Sequence, residues 1–405
     1  MAGPRWPRTD DPPTFDLYRE MLDSPHVRPP RREAISWALD ELERRMGADW
    51  LERYWEKAGH VPPEVNLGSA HVSALAKLLD FTLRFAVLDG LPGAGKVQKE
   101  MKNDVRDERR HHCALQLEVG ALALRAGYAA AFEERVQPAT PPGDVILRRS
   151  DEVIRTETFA ITPDQQTQQA DAFWLRISRM IMRIEWTHET PISGTITGSM
   201  TDQDAADLLR RLEAAASKAM ATGNEQPVTL NQAELCVQPP GSRGDGLRFS
   251  VPESDSWPRI AGKLARKAEQ AQASGGGWLR ADILDGTWAV TQWGRSGLRA
   301  KLDAIASQVK QLLALYTSIN GAVLSNSDGL AYGQVIGESA RSAADCYALR
   351  RSLPGARARE AMIIPTDDTG RQQARSWVDI YGPEDSWLDW ALSRFQLPSW
   401  NEIRP

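Results

Sequence analysis

A glutamate in the middle of an apolar helix constrains this chain more than any other feature. The stretch His111–Ala126 reads as a helix. The neighbours of Glu118 on its surface, three and four positions away, are Ala114, Leu115, Ala121 and Leu122. All four are apolar, so Glu118 is expected to be a buried acid in need of a partner. Gly127 stands where a C-cap glycine ends a helix. Further on, Gly143–Leu147 reads as a short strand, Arg148–Glu152 as a polar turn and Val153–Ile161 as the returning strand. A hairpin symmetric about Ser150-Asp151 sets Asp144 directly across from Glu157. Directly opposed side chains have Cβ atoms about 4.5–5.5 Å apart, and like charges there are destabilising. A divalent cation between them would remove that penalty.

This order of elements resembles the PD-(D/E)XK nuclease superfamily, the restriction endonuclease-like fold. There, a helix carrying a Glu precedes a strand with an Asp, and the next strand carries Glu-X-Lys. The matching residues are Glu118, Gly143-Asp144 and Glu157-Thr158-Phe159, and the run LEVGALALRAGYAAAFEERV is similar to the superfamily's first helix and first strand. The resemblance covers Arg110–Ile161. Two departures stand out: Phe159 occupies the lysine position, and Pro141-Pro142 stand one residue early.

The resemblance implies an α/β fold, a mixed sheet flanked by helices. It implies Mg²⁺ (or Mn²⁺) held by Glu118, Asp144 and Glu157, and hydrolysis of nucleic-acid phosphodiesters, DNA ahead of RNA. A role in defence against foreign DNA follows by family analogy alone. Without the motif lysine a migrated cation is needed. Arg155 shares a strand face with positions 157 and 159, but an arginine stays protonated and cannot act as a base. Lys263 and Lys267, on the helix beginning at Pro258, are the other candidates. Gln270 on that helix is placed to orient a phosphate or a water. Arg350 and Arg351, in an arginine cluster with Arg357 and Arg359, could grip phosphates or pair with acids elsewhere.

Two rival readings remain. A degenerate, non-catalytic nuclease-like scaffold would bind nucleic acid or a partner protein, and Phe159 favours it. A P-loop nucleotide hydrolase is suggested by Gly90–Lys96, which matches G-x-x-x-x-G-K. The next residue is Val97 rather than Ser or Thr, and the segment before the loop reads as helix rather than strand. A helix–helix connector is therefore the expectation there. His111-His112-Cys113 cannot converge on one metal, because adjacent helical residues point about 100° apart.

A chain of 405 residues is long enough for more than one domain. Residues 1–30 read as an extended arm, 31–105 as a helical N-terminal domain and 106–338 as the nuclease-like core, with an insertion at about 162–256. Residues 339–405 form a region rich in Trp. Phe173–Thr197 favours strands. Three distant cysteines suggest neither a disulfide framework nor a zinc site, so a cytoplasmic setting is expected. The start of the chain lacks the apolar core of a signal peptide, and no apolar run approaches the roughly 20 residues needed to cross a bilayer. With a net charge of −5, any surface for DNA must be a local basic patch.

Overall fold

A computed structural model describes residues 13–23, 27–58, 61–65, 72–104, 107–134, 142–161, 173, 177, 180–181, 183–185, 187–197, 200–242, 247–250, 257–283, 295–326, 340–341, 347–352, 358–381 and 385–404. The chain divides into two compact units, Met1–Thr162 with Ser256–Pro405, and Pro163–Asp255. The first carries both ends of the chain.

Six helices open the first unit: α1 (Phe15–Leu22), α2 (Pro29–Met46), α3 (Trp50–Ala58), α4 (Val72–Val87), α5 (Ala94–Asn103) and α6 (Asp107–Arg125). Helix α4 is apolar on nearly every side, with Leu75, Leu78, Leu79, Leu83 and Phe85 all buried. A helix of that kind must lie inside a core. α6 ends in a Schellman turn: Gly127, at φ 83°, donates its N–H to Leu124 O at 3.1 Å, and the Tyr128 N–H reaches Ala123 O at 2.9 Å. This turn aims the chain into the sheet.

The sheet has eight strands: β1 (Ala129–Glu134), β2 (Gly143–Arg149), β3 (Glu152–Ile161), β8 (Gly277–Ile283), β9 (Ile319–Asn326), β10 (Ala340–Arg341), β11 (Tyr347–Ser352) and β12 (Ala358–Pro365). Their order is β1-β2-β3-β8-β9-β12-β11-β10. β1, β2 and β3 run antiparallel, β3, β8 and β9 run parallel, and β12, β11 and β10 return antiparallel. The protein is thus mixed α/β, with a sheet between helices.

Parallel neighbours require crossovers. α8 (Trp257–Ala273) leads into β8 and α9 (Arg295–Leu313) into β9. Both cover one face, where Phe159, Leu279 and Leu324 meet Leu264, Ala268 and Val309. α6 lies on the other face, where Val145, Ile154 and Trp278 join the core of the N-terminal helices.

That core crosses the divisions expected from sequence. Leu39 and Leu79 belong to the same cluster as Leu122 of α6, and so do Trp377, Trp387 and Trp400 from the C-terminal helices α10 (Asp368–Ile380), α11 (Asp385–Arg394) and α12 (Trp400–Ile403). An amphipathic helix buries its stripe only against another element, and here the two chain ends supply each other's partners. Strands β10–β12 extend the sheet, so 339–405 contributes to the core layer itself.

The second unit has its own core and its own four-stranded sheet, order β5-β6-β4-β7, built from β4 (Ile192–Thr197), β5 (Gln226–Leu230), β6 (Ala233–Val237) and β7 (Leu247–Ser250). Helix α7 (Asp202–Thr222) packs on it. A capping box between Thr201 and Asp204 starts that helix. The expectation of strand from Phe173 onward is corrected. The described residues of 173–188 are helical apart from turns, and extension begins at Ile192. Ile177, Ile181 and Ile184 recur at helical spacing and are buried together.

Candidate functional site

β2 and β3 form a hairpin with a two-residue turn, in which Ser150 takes φ 53°. The register runs Arg149↔Glu152 to Val145↔Thr156. The paired residues end one step short of Asp144 and Glu157. Beyond that point the Asp144 carboxylate takes up an N–H of β3. Its Oδ2 accepts the Thr158 N–H at 2.7 Å and the Thr158 hydroxyl at 3.2 Å. Asp144 is thereby fixed near the plane of the sheet, within reach of helices on either face.

From one face, His112 of α6 brings Nε2 to 3.5 Å from Asp144 Oδ2, and Gln116, one turn on, lies 3.0 Å from the same ring nitrogen. Burial pushes the Asp144 carboxyl up, but the hydrogen bond and charge of His112, the Thr158 N–H and the charge of Lys267 outweigh it. Asp144 is held below the usual carboxylate range.

Glu157 behaves in the opposite way. Burial and then the like charge of Asp144 push its carboxyl up to about 7, against the opposing charge of Arg155 and, more weakly, Lys267. Arg155 Nη2 is 3.2 Å from Glu157 Oε1 and also donates to Pro142 O at 3.4 Å. The two acids are therefore not equivalent. Asp144 is ionised and fixed, and Glu157 is poised to bind or release a proton near neutrality.

Phe159 is 2% exposed. Over its ring, 5.8 Å from the centroid, sits the Lys267 ammonium of α8. A cation thus approaches position 159 from a neighbouring helix. Lys267 also donates to Gln270 Oε1 at 3.0 Å, so Gln270 fixes this amine. Lys263 lies one turn earlier on α8 and is half-buried. Arg155 is consumed by Glu157.

Glu118 requires a correction. It is buried as expected, but it does not join Asp144 and Glu157. Its Oε2 is 3.1 Å from Arg84 Nη1, its Oε1 is 2.9 Å from Arg280 Nη2, and Tyr381 donates to it at 3.1 Å. Arg84 is further tied to Asp80, which accepts from Trp387 Nε1. This buried network links α4, α6, β8 and the C-terminal helices and uses both Glu118 oxygens. Among the described residues, no group of three or more His, Cys, Asp or Glu side chains is gathered to hold a metal ion. Arg350 and Arg351 lie on β11, where Arg350 pairs with Glu360; their side chains fall outside the described residues.

The Gly90–Lys96 loop follows helix α4 and leads into α5, as a connector. Gly93, at φ 77°, passes so close to β1 that a Cβ would stand 2.1 Å from Phe132 O. The Phe132 N–H is taken by Pro92 O at 2.9 Å. Lys96 is ion-paired with Glu133.

His112, which approaches Asp144, lines a cleft of about 1100 Å³ together with Phe159, Ala160, Lys267, α5 and the start of α6. Sequence reasoning weighed His112 only as a metal ligand beside His111 and Cys113 and set it aside as part of a polar helix start. The available signal was Gln116 at i+4, a second polar residue on the same helical face. Among the described residues no helix is long and apolar enough to cross a membrane. Compared with protein-family models, curated proteins and solved structures, the chain matches none of them.

Proposed function

We propose that the chain is a metal-dependent phosphodiesterase acting on nucleic acid, of the PD-(D/E)XK kind. The observation that carries this reading is the position of Lys267: its amine occupies the surroundings of Phe159, beside the neighbouring acids Asp144 and Glu157. The element order supports it as well. Within the first unit a helix, three antiparallel strands, a helix and a parallel strand occur in that order from α6 to β8, with the second unit inserted between β3 and α8.

Two neighbouring carboxylates, one carrying an elevated pKa through burial and the other's charge, suit a hard divalent cation. Mg²⁺ takes oxygen ligands, needs only one or two carboxylates and keeps several waters. Asp144 and Glu157 would hold it, and when bound it supplies charge stabilisation at the scissile phosphate. His112 and the Thr158 N–H orient Asp144. Lys267, held by Gln270, offers an ammonium to the phosphate or to the attacking water. Arg155 offsets part of the Glu157 charge when the cation is absent.

That last contact favours a second reading, the non-catalytic scaffold. The Arg155–Glu157 pair offsets part of the Glu157 charge without any metal.

The test is nicking of supercoiled DNA, single-stranded DNA and RNA, with Mg²⁺ or Mn²⁺ and with chelator. Metal-dependent cleavage is expected, lost in Asp144→Ala. Lys267→Ala is expected to lower the rate by at least about 100-fold, the scale of a positioned acid–base or electrostatic group. The double variant Lys267→Ala with Phe159→Lys is expected to recover part of that loss, because it returns an amine to position 159. Cleavage unaffected by Asp144→Ala, or no cleavage of any substrate, refutes the enzyme reading; the second result leaves the scaffold.

A further inference from the structure

The cleft lined by His112 has two walls. On α5, Lys96, Lys99 and Asn103 fall at i, i+3 and i+7 and share one face, which lines the cleft. Along the helix axis they span roughly 10 Å. Lys267 of α8 belongs to the other wall. Two of the lining cations are already offset, Lys96 by Glu133 and Arg109 by Glu100. Lys99 is exposed and, among the described residues, makes no ion pair. Asp104 closes the C-terminal end of the track, where it would repel a phosphate.

Resting on the phosphodiesterase reading above, we infer that this cleft takes a single strand of nucleic acid, its phosphates running over Lys99 and Asn103 toward Asp144 and Glu157. Size argues for a single strand. A space of about 1100 Å³, if compact, is on the order of 10 Å across, less than the roughly 12 Å width of a duplex major groove alone. The lining argues for backbone recognition. Its one aromatic among the described residues, Phe159, is 2% exposed and offers no face for a base to stack on. Binding by phosphate contacts alone is independent of base sequence and falls linearly with the logarithm of salt concentration.

The experiment measures anisotropy of labelled homopolymers, deoxy and ribo, and of a duplex of equal length, with the full chain in chelator so that nothing is cut. Both single strands are expected to bind at least about tenfold more tightly than the duplex, with no base preference. Lys99→Ala is expected to lower the salt slope by about 0.7, the share of one phosphate on a single strand, and to weaken binding about tenfold. Arg371→Glu on α10, at an exposed position outside the lining of the cleft, is expected to change neither. Equal affinity for duplex, an unchanged slope in Lys99→Ala, or an equal loss in Arg371→Glu overturns the inference. Because the readout is binding without metal, its failure is separable from that of the enzyme reading. Single strands held through Lys99 but never cleaved would sustain this inference and refute the other.

Discussion

Replacing Glu157 by Gln should make the metal-free protein more stable at alkaline pH and leave it unchanged in acid. Glu157 is 6% exposed, and its carboxyl is pushed from the ordinary 4.5 to about 7 by burial and by Asp144. A raised pKa means that, between those two values, the folded chain holds a proton that the unfolded chain has released. Stability therefore falls as pH rises through that window. The shift corresponds to about 3 kcal/mol, fully expressed above pH 7 and absent below about 4.5. Gln keeps the size and the neutral form and cannot ionise. At pH 5 the variant and the parent should differ by less than about 1 kcal/mol; at pH 8.5 the variant should lead by about 2–3 kcal/mol. Asp144, whose carboxyl is depressed, stays ionised in both proteins over this range and cancels in the difference. The assay is urea unfolding of both proteins in chelator at the two pH values. Added Mg²⁺ or Mn²⁺ should then raise the parent and not the variant, by mass action on the paired carboxylates. A variant that is equally or less stable at pH 8.5 refutes the reasoning. It would mean that the Arg155–Glu157 ion pair outweighs burial and the neighbouring charge.

Three further substitutions separate structure from chemistry. Glu118→Gln leaves Arg84 and Arg280 short of a buried counter-charge and should cost about 3 kcal/mol, the low end for a broken buried pair because Arg84 keeps Asp80; a lower urea midpoint is the check, and an unchanged midpoint contradicts the network. Gly93→Ala forces a Cβ against Phe132 O and should cost more than about 2 kcal/mol in the same assay. Lys96→Ala removes an exposed ion pair and should cost under about 1 kcal/mol, with no Mg²⁺-dependent ATP or GTP binding in calorimetry before or after the change. Tight nucleotide binding abolished by Lys96→Ala would revive the P-loop reading.

The parts of the site that are local in sequence were legible, and the parts set by tertiary packing were not. The hairpin register follows from a short turn and two apolar strands, so Val145 could be set opposite Thr156, and Asp144 near Glu157, from residue order alone. Gly127 could be read because a helix end is a local event. The partners of Glu118 could not: Arg84 lies 34 residues before it and Arg280 lies 162 after. Lys263 and Lys267 are one turn apart on one helix, and nothing in their spacing says which turn lies over Phe159. The sharing of one core by the two helical ends was hidden for the same reason, since Trp387 finds Asp80 across 307 residues of the chain.

Helix α6 shows how phase decides the matter. Sequence reasoning singled out this helix for its acid, and the helix does reach the carboxylate pair. It does so through His112, six residues before Glu118. Each helical residue turns by about 100° and rises about 1.5 Å, so six residues rotate by about 240° and advance about 9 Å. The face that offers His112 to Asp144 therefore turns Glu118 away, toward Arg84 and Arg280. One straight helix cannot present both residues to one point. The choice between them was made by what surrounds each: two buried guanidinium groups claim the acid, and a carboxylate fixed at the end of a strand ladder claims the imidazole.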